Sequence, residues 1–139
     1  MRRSHESPFD DEMNPESGEP PAAVYRRYLE SGRLGFQRCG DCGSAVFYPR
    51  VVCPACGGAD LAWETSFGRG VVYATTAVFR RDADPYNVAL VDLEEDFRMM
   101  SRVERVPAEE VEVGTKVILR MDREGDDPAP VFVPEGEGR

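Results

Sequence analysis

Histidine is nearly absent from this chain: His5, in a polar N-terminal segment, is the only one. A catalytic triad, a histidine general base and a histidine-ligated metal therefore lack their usual donor. Lysine is as scarce, with Lys116 alone beside sixteen arginines. Neither a Gly-rich phosphate loop ending in lysine nor a Gly-x-Ser-x-Gly nucleophile motif occurs. No stretch approaches the roughly eighteen apolar residues of a membrane-spanning helix. The first twenty residues hold no apolar export segment, so a cytoplasmic location is expected.

Cysteine is confined to one short window. Cys39-Gly40-Asp41-Cys42-Gly43 and Cys53-Pro54-Ala55-Cys56-Gly57-Gly58 hold all four. Each pair sets two thiols on one knuckle, and the glycine behind it permits a sharp turn that aims backbone N–H groups at the sulfurs. Two knuckles supply four thiolates to a tetrahedral ion, which predicts a structural zinc ribbon with one Zn2+ held by Cys39, Cys42, Cys53 and Cys56. A disulfide framework belongs to short exported chains. A thioredoxin-like redox pair needs a βαβ pattern that is missing here. A catalytic zinc keeps one position open, whereas four thiolates close the shell.

The net charge of −9 sits at the ends. Residues 1–21 carry two basic and six acidic side chains, residues 107–139 four and nine, and the middle eleven of each. Acidity thus reads as solvating tail and surface, and leaves the centre approachable by phosphate. Arginine forks there are suited to two-pronged grip of a phosphate or carboxylate.

Residues 1–21 are expected to be a disordered acidic tail. Over 22–35, Val24, Tyr25, Tyr28 and Leu29 recur at helical spacing, with charged residues on the other faces and Gly32 as a stop. A short amphipathic helix is predicted. Its apolar stripe has little beside it to bury against, so it reads as a docking face for another chain. Residues 36–60 form the ribbon, with 46–48 as a strand between the knuckles. So small a unit relies on its metal, whose binding is worth about 10–16 kcal/mol in comparable sites. From 61 to 134 the texture is all β. Runs at 61–67, 71–79, 87–93, 97–106, 116–121 and 131–133 read as strands. Gly68 and Gly70 mark a bend, Pro85 a loop, Glu94-Glu95-Asp96 a reversal and 122–130 an acidic loop. A mainly β protein ending in a small closed barrel is predicted. The acidic cluster at 92–96 reads as a solvated turn, and no nucleophile–base pair is evident, so no enzyme activity is expected.

A helix, Leu34-x-Phe36-x-x-Cys39-x-x-Cys42-Gly43, Phe47-x-Pro49-Arg50-x-x-Cys53-Pro54-x-Cys56-Gly57, and a barrel opening Gly68-x-Gly70-x-Val72-Tyr73 follow one another. With Gly114-x-x-Val117 and Val131-Phe132-x-Pro134 behind them, they resemble the acyl-CoA-associated OB-fold proteins with a rubredoxin-like zinc ribbon. The resemblance covers roughly residues 20–134, and Pro49-Arg50 is its most specific part. It implies a five-stranded OB-fold barrel and a non-catalytic accessory subunit. Such proteins partner thiolase-like or other acyl-CoA-processing enzymes; ribbon and helix dock the enzyme, and the barrel helps hold or channel the acyl-CoA. Arg50, fixed by Pro49, and Arg69, between two glycines, are the candidates for CoA phosphate, although Arg50 also has carbonyls of the ribbon within reach. One departure is the second barrel hairpin, where the family usually has glycine and this chain has Glu94-Glu95-Asp96.

The rival reading is a single-stranded nucleic-acid module, for which Tyr73, Phe79, Tyr86 and Phe97 are stacking candidates. Barrel alternation would place most of them in the core, and a neutral centre lacks the positive surface such binding needs. Nucleic acid and membrane are therefore not expected partners.

Overall fold

Pro21 opens the helix α1 (Pro21–Glu30) at a position whose N–H would have no intrahelical partner. Gly32, at φ 82°, ends it: Gly32 N–H donates to Leu29 O and Arg33 N–H to Tyr28 O, each at 2.9 Å. The computed structural model describes residues 19–136, so the expected tail lies, up to residue 18, outside the described residues. Two compact units divide between Thr65 and Ser66. Among the described residues no helix is long and apolar enough to cross a membrane.

In the first unit, strands β1 (Gly35–Cys39), β2 (Ala45–Val46) and β3 (Leu61–Thr65) form an antiparallel sheet in the order β2-β1-β3. The stripe of α1 is not left bare, contrary to expectation. Val24 and Tyr28 are fully buried and Leu29 nearly so. Tyr28 stacks on Trp63 of β3 with ring centres 5.4 Å apart, and Tyr25 meets Phe47 edge-on at 5.6 Å. Trp63, distant in sequence, supplies the cover that the local pattern did not reveal. Burial also raises the Tyr25 hydroxyl well above its ordinary range, with a smaller contribution from Tyr48. β3 itself is a second difference. Its texture places it at the opening of the barrel, yet it pairs with β1 from Gly35–Thr65 to Cys39–Leu61.

The close seat of α1 depends on Gly35. A Cβ added there would lie 2.6 Å from the Tyr28 ring. Gly35→Ala is expected to push the ring off its place and destabilise this unit by about 1–3 kcal/mol, read as a lower denaturation midpoint.

The second unit is a five-stranded antiparallel sheet of β4 (Arg69–Arg80), β5 (Ala83–Leu93), β6 (Phe97–Ser101), β7 (Lys116–Glu124) and β8 (Asp127–Pro134), in the order β6-β5-β4-β7-β8. Inward residues alternate along β5, where Ala89, Val91 and Leu93 are buried; Val72, Met99, Val117, Val131, Phe132 and Val133 join them. The predicted closure is incomplete. Among the described residues the two edges meet through one parallel bridge, between Val103, just beyond β6, and Phe132 of β8, flanked by Phe132 N–H to Arg102 O and Glu104 N–H to Phe132 O. β6 is short, and Pro128, Pro130 and Pro134 leave β8 without donors at three positions. The expected loop at 122–130 is instead a hairpin. Pairing continues to Glu124–Asp127 around Gly125-Asp126, with Gly125 at φ 65°. Pro85 lies inside β5, where β6 does not yet pair.

Candidate metal centre and its flanking surfaces

The two knuckles fold alike. Gly43 N–H donates to Cys39 O at 2.9 Å and Gly57 N–H to Cys53 O at 2.7 Å; both glycines sit near φ +80°. A side chain there would be strained, which is why glycine follows each pair. Asp41, Ala55 and Gly58 aim backbone N–H groups at the sulfurs of Cys39, Cys53 and Cys56, each at 3.4 Å.

All four Sγ atoms lie within 4.8 Å of one another. Cys39 and Cys56 are 3.6 Å apart, Cys42 and Cys53 3.7 Å. A disulfide needs about 2.05 Å. A tetrahedral ion with metal–sulfur bonds of about 2.3 Å places its sulfurs about 3.8 Å apart. The cluster therefore fits one structural metal with a closed sulfur shell. Without the ion the thiols differ. The Ser44 side chain and amide hydrogen-bond Cys42 and lower its pKa to about 6. Cys56, despite the Gly58 amide, is pushed up to about 12, chiefly by the thiols of Cys39 and Cys42.

A clamp that sequence reasoning missed holds the loop between the knuckles. The buried Gln37 side chain accepts from Arg50 N–H at 2.7 Å and donates to Arg50 O at 2.9 Å. The backbone at Arg50 is thus fixed while Tyr48, Val51 and Val52 remain 51%, 71% and 47% exposed. Three apolar side chains within the five residues 48–52, beside Pro49, are the signal that sequence offered for this surface. The Arg50 guanidinium has no hydrogen bond or ion pair among the described residues. Arg69 pairs with Glu135 at 3.5 Å, in a cleft lined also by Asp92, Glu94, Asp96 and Lys116.

The acidic hairpin has a structural role. Glu95 accepts from Ser66 Oγ at 2.7 Å and from Phe67 N–H at 2.8 Å. Asp96 takes the left-handed conformation, φ 73°, that a short polar residue tolerates in place of glycine. Of the four stacking candidates, only Phe97 is buried; Tyr73, Phe79 and Tyr86 are 51%, 70% and 42% exposed. Arg98 covers Tyr73, 3.5 Å from the ring centre, and is itself gripped by both oxygens of Asp92. Beside them the outer face of β4, β5 and β6 forms a shallow groove of Ala74, Thr76, Val88, Leu90 and Met100.

Residues 26–62 match the family described as the rubredoxin-like zinc ribbon domain of ChsH2, and residues 63–122 its C-terminal OB-fold domain. A DUF35 domain-containing scaffold protein of Methanothermobacter thermautotrophicus is 29% identical over 75% of this chain and 85% of its own length. A second, from Methanocaldococcus jannaschii, is 32% identical over 65% and 70%. A probable enoyl-CoA hydratase alpha subunit of Thermomonospora curvata is 29% identical over 88% of this chain but only 42% of its own length. Among solved structures, a chain of the Ltp2-ChsH2(DUF35) aldolase superposes with TM-score 0.74 at 27% identity, covering 86% of this chain and 98% of that one.

Proposed function

The chain belongs to the ChsH2 family of zinc-ribbon and OB-fold scaffold proteins, and on that premise we propose that it is the accessory subunit of a thiolase-like or other acyl-CoA-processing enzyme. It is a non-catalytic subunit, as its scaffold relatives are named. In this reading the ribbon is folded around one structural Zn2+ and docks the enzyme, in the cytoplasm, while the OB unit helps hold or channel the acyl-CoA.

The loop between the knuckles carries the proposal. Tyr48, Val51 and Val52 stand exposed on a backbone fixed by Gln37, an arrangement that loses little entropy on binding. Val24, Tyr28 and Leu29, buried in their own unit, are left to support that surface, and Tyr25 borders it through Phe47. Of the two arginines proposed for CoA phosphate, the geometry favours Arg50; four carboxylates surround Arg69. Val51→Asp with Val52→Asp is expected to weaken the complex with the partner enzyme by on the order of thirty-fold or more while zinc content stays unchanged. Co-purification and calorimetry measure both. An unaltered complex would refute docking through this loop.

Exposed Tyr73 and Tyr86 lie on the outer OB face, but the groove between them is aliphatic and Arg98 beside Tyr73 is held by Asp92, so the face lacks the free positive charge that oligonucleotide binding draws on, which weighs against the nucleic-acid reading. Salt-dependent binding of single-stranded oligonucleotides would restore it.

A further inference from the structure

β4 and β5 pair from Gly70–Leu93 to Arg80–Ala83, with the register interrupted at Tyr73 and at Phe79 and regular between them from Ala74 to Val78, but β7 joins β4 only at Arg69–Val71. Past Val72, which exchanges backbone hydrogen bonds with Gly114 and Thr115, residues 73–79 of β4 find no backbone partner on the side away from β5 among the described residues. Two other edges of this sheet are guarded. β8 carries Pro128, Pro130 and Pro134, and the free half of β7 carries Arg120, Asp122, Arg123 and Glu124. The segment Tyr73-Ala74-Thr75-Thr76-Ala77-Val78-Phe79 has neither charge nor proline.

From this open edge we infer that two copies of the chain pair through residues 74–78 of β4, antiparallel about a two-fold axis at Thr76. The occupant follows from the order of residue types. About Thr76 the regular stretch is nearly symmetric: Ala74 of one copy faces Val78 of the other, Thr75 faces Ala77, and Thr76 faces Thr76. A Thr–Thr cross-strand pair is among the favourable ones, and no like charges meet within 74–78. The faces also agree. Ala74, Thr76 and Val78 lie opposite Leu90, Val88 and Tyr86 of β5, whose side chains alternate outward between the buried Asn87, Ala89 and Val91. Pairing therefore extends one aliphatic outer face across both copies. One strand pair buries little area, so the dimer is weak and depends on concentration. This inference stands independently of the accessory-subunit reading.

Sedimentation and light scattering of the full-length chain are expected to show a monomer–dimer equilibrium in the micromolar range. Thr76→Lys brings the two introduced ammonium groups face to face and raises the dissociation constant on the order of a hundred-fold. Val78→Lys, opposite Ala74 of the other copy, places a charge in each half of the seam and weakens the dimer several-fold. Met100→Lys, on the outer face but two strands from the edge, leaves it unchanged. Amide exchange within residues 74–78 slows as concentration rises. A chain monomeric at every concentration, a dimer indifferent to both edge variants, or one broken by Met100→Lys would overturn the inference.

Discussion

Cys53→Ser is expected to abolish stoichiometric metal binding and unfold the first unit, α1 included, while the strands beyond Ser66 stay folded. Cys53 is fully buried beside Cys39 and Val46, so the metal centre is also part of the small core there. Zinc binding of about 10–16 kcal/mol in such ribbons exceeds what this many apolar side chains supply. α1 rests on Trp63 and Gly35, both in the sheet that the metal closes, and so falls with it. Elemental analysis and residue-resolved amide exchange measure the outcome; one metal per chain retained in the variant would count against the closed four-thiolate shell. Acid should act in the same direction. Metal displaces thiol protons, and the metal-free ribbon holds Cys56 protonated up to about 12 while Cys42 ionises near 6. Lowering the pH through and below 6 therefore favours the protonated thiols and releases the ion, and raising it tightens binding.

Phe132→Ala should do the reverse. Phe132 is fully buried and its backbone makes the one bridge between the edges of the sheet. Removing so large a core side chain costs about 3–5 kcal/mol. For a unit of this size that approaches the whole stability, at roughly 0.05–0.15 kcal/mol per residue. The second unit is expected to become protease-sensitive while a metal-bound fragment ending near Thr65 survives digestion. Loss of metal together with the strands would mean that the two units do not fold separately.

What sequence made legible was local. The knuckles are nearest neighbours in the chain, so their spacing already specified the sulfur cluster that the fold assembles. The helix was equally plain, from its periodicity and its glycine stop. What covers it was not, because Trp63 reaches Tyr28 only through the pairing of β3 with β1. Alternation marks β4 and β5 as strands without saying which face turns inward, so the expectation that most of Tyr73, Phe79, Tyr86 and Phe97 are core holds for Phe97 alone. Prolines at 128 and 130 suggested a loop, yet an edge strand tolerates them, because the missing donors face no neighbour. The role of Glu95 was hidden for another reason: a carboxylate that accepts from Ser66 and Phe67 looks, in sequence, like any charge in a turn.

The prolines of β8 also set a valence. Strand pairing between molecules propagates when each copy offers two compatible seams, and stops when it offers one. In the larger sheet, β8, one of the two strands that end the order, carries residues unable to donate, and the free half of β7 is charged. With those two seams closed, strand pairing through β4 stops at the pair on their side of the sheet, however crowded the solution. Replacing Pro128 and Pro130 by residues with N–H groups would give it a second seam and the means to polymerise.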